Sequence, residues 1–304
     1  MTPPAAWSSS WRLLRPAQWP ILSAQLAVGV ALALGAQPDP PGSHPAISWP
    51  TLAGAWLCWV VLLNGGTLAF NSAFDRDTGP VAYLAGPPVP PPGLHVWALL
   101  WMIAGAAGGA VVVSAAFGAV TAACVILSWL YSHPRTRWKG RPGLDLAVNM
   151  VGYGFGTTAA GILAGWAAID RQVDGGGDLL WIGLGFGLLF GSLYPLTQIY
   201  QYEEDLARGD HTLATALGIA RSLELSLVLG ALAATALWKG TADPQGGPPR
   251  LLAAALALWL GHELALRIRW RMQDARNWER AMYRSLALWA AVDVGCVVSW
   301  LQRG

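Results

Sequence analysis

The feature that most limits what this chain can become is a series of long apolar runs. They lie near residues 19–36, 51–70, 94–116, 118–132, 144–168, 179–200, 222–238, 250–268 and 282–301. A helix of about 20 apolar residues spans the roughly 30 Å hydrocarbon core of a bilayer. Only 12% of the residues are charged and 54% are hydrophobic, against roughly 25% charged in an ordinary soluble domain. Too few charges remain to cover a soluble protein of this size. The expected fold class is all-α: a polytopic membrane protein of nine transmembrane helices, forming one domain over residues 1–304. The third and fourth runs are parted only by the Gly118 region, which predicts a tight hairpin there. Arg12 and Arg15 ahead of the first run loosely resemble a secretion signal. With so many runs following, the first reads as a span instead.

Positive charge then orients the helices. With the N-terminus placed in the cytoplasm, 15 of the 19 Lys and Arg residues fall on that side. Only Arg171, Lys239, Arg250 and Arg303 fall on the other. Such an imbalance is what the positive-inside rule expects, and a wrong helix count would scramble it. The expected location is the cell inner membrane, with the N-terminus cytoplasmic. Several of the 18 Trp residues, among them Trp19, Trp138 and Trp278, sit near predicted interfaces as aromatic anchors. Cys58, Cys124 and Cys296 fall inside apolar runs with no metal-type spacing and read as small buried residues.

This topology brings three polar segments to the cytoplasmic face. The second run ends in NSAFDRDTG, where Asn64, Asn71 and Asp75 stand at i, i+7 and i+11 and share a helix face. Asp77 joins them only if the helix unwinds, and Thr78, Gly79 and Pro80 supply the reason to unwind. Carboxylate and amide oxygens suit a hard cation such as Mg²⁺. The plain alternative is a solvated helix cap. The sixth run ends in TQIYQYEEDLARGDHTLATALG, where Gln198, Gln201, Tyr202 and Asp205 share a face if the helix continues. Taken alone, it reads as a charged helix end. Between the two lies YSHPRTRWKGRPG, with Arg135, Arg137, Lys139 and Arg141 in a short loop. Guanidinium groups fork onto phosphate oxygens and an ammonium adds compact charge, although cytoplasmic loops are basic in any case. Together the segments chelate cations, balance a multiply charged anion and stand over an apolar interior. An isoprenyl diphosphate meets those needs.

These motifs resemble the UbiA family of intramembrane prenyltransferases, whose members have nine transmembrane helices. The family's first motif, Asn-Asp-x-x-Asp-x-x-x-Asp, is matched at Asn71 and Asp75; Ser72 and Gly79 replace two aspartates, with Asp77 close by. Its second motif is matched at Tyr202, Glu203, Asp205, Gly209, Thr212, Leu213 and Gly218, with Gln201 in place of the leading Asp. Its Tyr-Ser-x-Pro…Arg-x-Lys loop is matched at Tyr131, Ser132, Pro134, Arg137 and Lys139. An Arg-Pro segment that the family carries after the first motif is altered here to YLAGPPVPPPG.

The resemblance implies a nine-helix bundle around a lipid-open cavity and Mg²⁺-dependent transfer of a prenyl group from a polyprenyl diphosphate to an apolar or aromatic acceptor. It implies Asn71, Asp75, Asp77, Gln201 and Asp205 as metal-holding residues, and Arg135, Arg137 and Lys139 as the groups that neutralise the leaving diphosphate. Expected partners are the prenyl diphosphate, a lipophilic acceptor and membrane lipid, without nucleic acid. Two other readings use the same residues: a terpene cyclase in which the prenyl cation closes on itself, and a prenyl-lipid-binding protein with a degenerate site. Intramembrane His262, Glu263 and Asp293, together with Asn149 and Tyr153, are equally well explained by helix packing and stay outside the predicted site.

Overall fold

Long runs of Leu, Ala, Val and Gly without internal charge leave the backbone to satisfy its own hydrogen bonds, which in a bilayer means helix. The computed structural model describes residues 10–35, 46–75, 84, 86–171, 177–243, 248–272 and 274–303. Among these, nine helices are long and apolar enough to cross a membrane. They are α1 (Ser10–Gly35), α2 (Trp49–Asp75), α3 (Leu94–Val112), α4 (Ala115–Ser132), α5 (Leu144–Ala168), α6 (Gly177–Ile199), α7 (Ile219–Thr241), α8 (Arg250–Met272) and α9 (Arg276–Leu301). The protein is an integral, multi-pass membrane protein. Two spans carry π-helical segments, α2 over Leu57–Gly65 and α5 over Met150–Gly156. Cys58, Cys124 and Cys296 are buried free thiols.

The chain divides into two compact units. The first comprises Met1–Arg137 and Thr157–Val173, and so contains α1 to α4 and the second half of α5. Its closest helix contact is made by glycine. A Cβ on Gly29 would lie 2.3 Å from the Thr158 carbonyl oxygen, and one on Gly161 would lie 2.2 Å from that of Leu26. Small residues let membrane helices approach until their backbones touch. Gln25 Nε2 donates to Thr158 Oγ1 at 2.9 Å beside this contact, and Trp59 Nε1 donates to Thr157 Oγ1 at 3.2 Å. The hairpin between α3 and α4 turns at Ser114, not at Gly118. Extended Ser114 caps α4, its Oγ accepting from the Phe117 N–H at 3.1 Å. Gly118 lies inside α4, where a Cβ would come within 2.4 Å of that of Ala110. It allows the two helices to close together and does not break either one.

The second unit comprises Trp138–Gly156 and Asp174–Gly304. It contains the first half of α5 and all of α6 to α9. Phe186, Phe190 and Trp259 each pack on Trp289, with ring centroids 6.0–6.2 Å apart. Tyr153 stacks on Phe190 at 5.2 Å. Fully buried Glu263 accepts from Ser226 Oγ at 2.8 Å and Ser285 Oγ at 3.5 Å. Trp259 Nε1 donates to Ser192 Oγ at 3.0 Å. Four spans are thereby joined by polar contacts, the packing role open to an intramembrane carboxylate. Asn149 Nδ2 donates to the Asp145 carbonyl of its own helix at 2.8 Å.

Candidate active site

In the first unit the site begins on the last α-helical segment of α2, Gly66–Asp75. Asn71 and Asp75, four residues apart, share one face, and both are half-buried. The amide of Asn71 is oriented from outside its own helix: its Oδ1 accepts from Ser132 Oγ at 3.0 Å. Ser132 is 1% exposed and closes α4, so the start of the YSHP loop holds the first motif. Phe74 fixes the same turn through rings, with Phe70 at 5.0 Å and His95 and His133 at 5.6 Å. His133 stacks in turn on Trp129 at 4.5 Å. Nearer mid-membrane, Asn64 is 4% exposed and neither polar atom of its amide has a hydrogen-bond partner among the described residues. Asp77 lies outside the described residues.

Arg135 and Arg137 also belong to the first unit, and both are exposed. The loop folds around His133, whose Nδ1 accepts from the Arg135 N–H at 3.3 Å and whose carbonyl accepts from that of Arg137 at 2.8 Å. Arg137 takes a left-handed backbone with φ 41°.

Lys139 belongs to the second unit, on a 3₁₀ turn over Trp138–Gly140. Burial lowers its ammonium pKa from the ordinary lysine value to about 8, while the Asp210 carboxylate pulls the other way. Lys139 and the second motif are thus electrostatic neighbours. That motif does not continue α6. The helix ends at Ile199, the Gln201 N–H bonds back to the Gln198 carbonyl at 3.1 Å, and a new helix runs over Tyr202–Arg208. The break separates residues that a continuous helix would align. Gln201 and Asp205 stay four apart, with the Asp205 N–H on the Gln201 carbonyl at 2.9 Å. Gln198 instead turns into the unit's interior. Asp205 is 5% exposed, whereas Glu203 and Glu204 face outward. Left-handed Gly209 (φ 71°) closes the short helix, and a Thr212–Thr215 capping box opens the next over Leu213–Leu217.

One residue in this unit was not foreseen from spacing. Asp145, 0% exposed, begins α5. Its Oδ1 accepts from the N–H groups of Gly143 and Leu146, both at 2.8 Å. Its Oδ2 accepts from Gln198 Nε2 at 3.0 Å, the Leu213 N–H at 3.2 Å and the Tyr194 hydroxyl at 3.5 Å. Gln198 uses its whole amide: Nε2 also donates to the Tyr194 hydroxyl at 3.0 Å, and Oε1 accepts from the Ala214 N–H at 3.1 Å. The only sequence signal was Pro142-Gly143 followed by an acid in a helix's first turn.

Each unit therefore presents one amide and one carboxylate, four residues apart. Among the described residues no three His, Cys, Asp or Glu side chains gather as a metal cluster. An all-oxygen set with few carboxylates fits Mg²⁺, which takes one or two carboxylates and completes its shell with water and substrate phosphate.

Comparison with known proteins identifies the fold and the family. No curated protein matches the chain. Among solved structures, one of digeranylgeranylglyceryl phosphate synthase superposes with a TM-score of 0.67 at 14% identity, covering 98% of this chain and 99% of that one. A UbiA homologue from Archaeoglobus fulgidus bound to Cd²⁺ gives a TM-score of 0.61 at 17% identity, covering 94% and 99%. The A. fulgidus homologue bound to GPP and Mg²⁺ gives 0.58 at 18% identity, covering 93% and 99%. At these identities the likeness shows a shared fold. A sequence profile described as the UbiA prenyltransferase family matches residues 20–290. With that match spanning most of its length, the chain belongs to the UbiA prenyltransferase family.

Proposed function

We propose that the chain is an intramembrane, Mg²⁺-dependent enzyme that moves a prenyl group from a polyprenyl diphosphate to an apolar or aromatic acceptor. Family membership supports the reaction class. The observation that carries the rest is the repeated pair of one amide and one carboxylate four residues apart, Asn71 with Asp75 and Gln201 with Asp205. Residues 1–304 act as a single catalytic domain in the cell inner membrane, with the N-terminus and the motif loops cytoplasmic. The A. fulgidus homologue has been seen with GPP and with DMAPP, each together with Mg²⁺, which makes those diphosphates the first donors to try.

Asn71, Asp75, Asp77, Gln201 and Asp205 hold Mg²⁺ on the diphosphate, the neutral Gln201 contributing least. When bound, Mg²⁺ neutralises charge on the diphosphate as it departs. Arg135, Arg137 and Lys139 meet that same charge, which grows as the allylic carbon–oxygen bond breaks and its electron pair moves to the leaving oxygen. The prenyl carbon then bonds to the acceptor, which gives up a proton. Ser132 keeps Asn71 Oδ1 in place, and the rings around Phe74 keep that turn from shifting. Apolar surroundings withhold water from the cation in the interval.

The test is pyrophosphate release by the purified protein in detergent, with Mg²⁺ and prenyl diphosphates of several lengths, with and without a membrane-lipid extract as acceptor. Release that needs the extract is expected, and mass spectrometry of the extract then names the acceptor. Release without it overturns transfer in favour of cyclisation or hydrolysis. No release in any condition, with the diphosphate still bound, assigns the degenerate site.

A further inference from the structure

We propose that Asp145 is a positioning residue for prenyl transfer, a buried carboxylate that fixes Lys139 and the second motif in one arrangement; this rests on the proposed function. Asp145 touches neither substrate nor metal in that reading. It acts through the two chain segments that do.

The first segment is the loop carrying Lys139. From Trp138 to Asp145 it is a succession of hydrogen-bonded turns, with the Arg141 N–H on the Trp138 carbonyl at 3.0 Å and the N–H groups of Leu144 and Asp145 on the Arg141 carbonyl at 3.0 and 3.1 Å. Oδ1 of Asp145 adds the Gly143 N–H at 2.8 Å. Gly143 has φ 91°, a backbone that side-chain-bearing residues rarely adopt, so the turn depends on both the glycine and its acceptor. Where Asp145 is held, the turn bearing Lys139 is held.

The second segment is the second motif. Oδ2 of Asp145 takes the Leu213 N–H, and Gln198, itself fixed by Asp145, takes that of Ala214. These are the first residues of the Leu213–Leu217 helix, whose cap is the Thr212–Thr215 pair. Thr215 Oγ1 also donates to the Asp210 carbonyl at 2.9 Å, the Asp210 N–H donates to the Asp205 carbonyl at 2.9 Å, and the Asp205 N–H donates to that of Gln201. The line of contacts thus runs from Asp145 to both proposed metal-holding residues of this unit. It closes on itself, because the Asp210 charge acts on Lys139. Five donors thus meet one carboxylate that has no exposed surface. A side chain without the second acceptor oxygen leaves the Gln198, Leu213 and Tyr194 donors without that acceptor.

Asp145→Asn tests this selectively. It keeps Oδ1 and the helix cap but turns an NH₂ towards the Gln198, Leu213 and Tyr194 groups that donate to Oδ2. The expected result is a rise of about tenfold in KM for geranyl diphosphate and in the Mg²⁺ concentration for half-maximal rate, as loss of charged hydrogen bonds implies, with a smaller change in kcat. Adding Gln198→Glu to that variant gives the new NH₂ an acceptor while still serving the Ala214 N–H, and is expected to recover most of the KM. A lowered melting temperature with both constants unchanged overturns the proposal and leaves Asp145 a structural cap. If Asp145→Asn does not fold, Thr215→Ala decides: it cuts the line at Asp210 and is expected to raise KM about threefold, and an unchanged KM overturns the proposal. Equilibrium binding of geranyl diphosphate with Mg²⁺ separates this from failure of the transferase reading. A wild type that binds but releases no pyrophosphate refutes the latter alone, and the variants are then compared by affinity.

Discussion

The two motif turns reach similar chemistry by different mechanical means. Asn71 and Asp75 sit on the continuous end of a span, where helical geometry spaces them and a side-chain bond from Ser132 helps to orient the amide. Gln201 and Asp205 sit beyond a break in α6, where helix continuity is gone. Their place is instead fixed by Asp145, Gln198, a capping box and a left-handed glycine. A site on an unbroken helix needs little outside support, and one on a broken helix needs a polar network to replace the lost backbone ladder. The second turn should therefore be the more sensitive to substitutions distant from the chemistry.

The largest effect is expected where the two turns are alike. Asp75→Ala and Asp205→Ala should each lower kcat/KM for the prenyl diphosphate by about 100-fold or more, with circular dichroism showing the helices intact. Retained turnover in either would break the equivalence. Next comes Lys139, the cation that only the second unit supplies. Its ammonium is present below about pH 8 and lost above, so affinity for prenyl diphosphate should weaken as pH rises through 8, and Lys139→Met should flatten that profile. Substrate-free stability runs the opposite way. The lysine loses its proton at lower pH in the folded chain than in the unfolded chain, so the wild type gains stability relative to Lys139→Met as pH rises from about 8 towards 10.5.

Smaller effects sharpen the contrast. Ser132→Ala removes the hydrogen bond from Ser132 to Asn71 and should raise KM about fivefold, since one neutral hydrogen bond contributes on the order of 1 kcal/mol. A loss as large as that of Asp145→Asn would show that the first turn also depends on outside support. Gln201→Asp adds a carboxylate to the second turn and should lower the Mg²⁺ concentration for half-maximal rate about threefold. The smallest change concerns Asn64, whose buried amide has no hydrogen-bond partner among the described residues. Asn64→Leu should raise the melting temperature by an amount corresponding to about 1 kcal/mol, because it removes an unsatisfied polar group.

Helix number and the chain positions of both motifs were legible because each is a local property. Hydropathy needs about 20 neighbouring residues, and the four-residue amide–carboxylate spacing needs five. Features that depend on distant partners were not. Asp145 carries no motif of its own, and its meaning comes from Gln198, 53 residues on, and Leu213, 68 residues on. Gly118 has the composition of a turn, and only Ala110 across the hairpin shows that it serves close packing. The break between α6 and the second motif was not legible because Tyr200-Gln201 has no Gly or Pro to mark it, and the interruption is accompanied by contacts that Gln198 makes elsewhere.

The glycine contact between α1 and the second half of α5 also bears on how the first unit meets membranes of different thickness. Side chains can slide over one another by changing rotamer, but backbones in contact at Gly29 and Gly161 have nothing to rearrange. The two helices therefore cannot shorten their combined span by shearing. When the bilayer thins, they must tilt as a pair or draw the lipid towards them. Acyl-chain length in the host membrane then becomes a variable that the first unit registers as a change of angle.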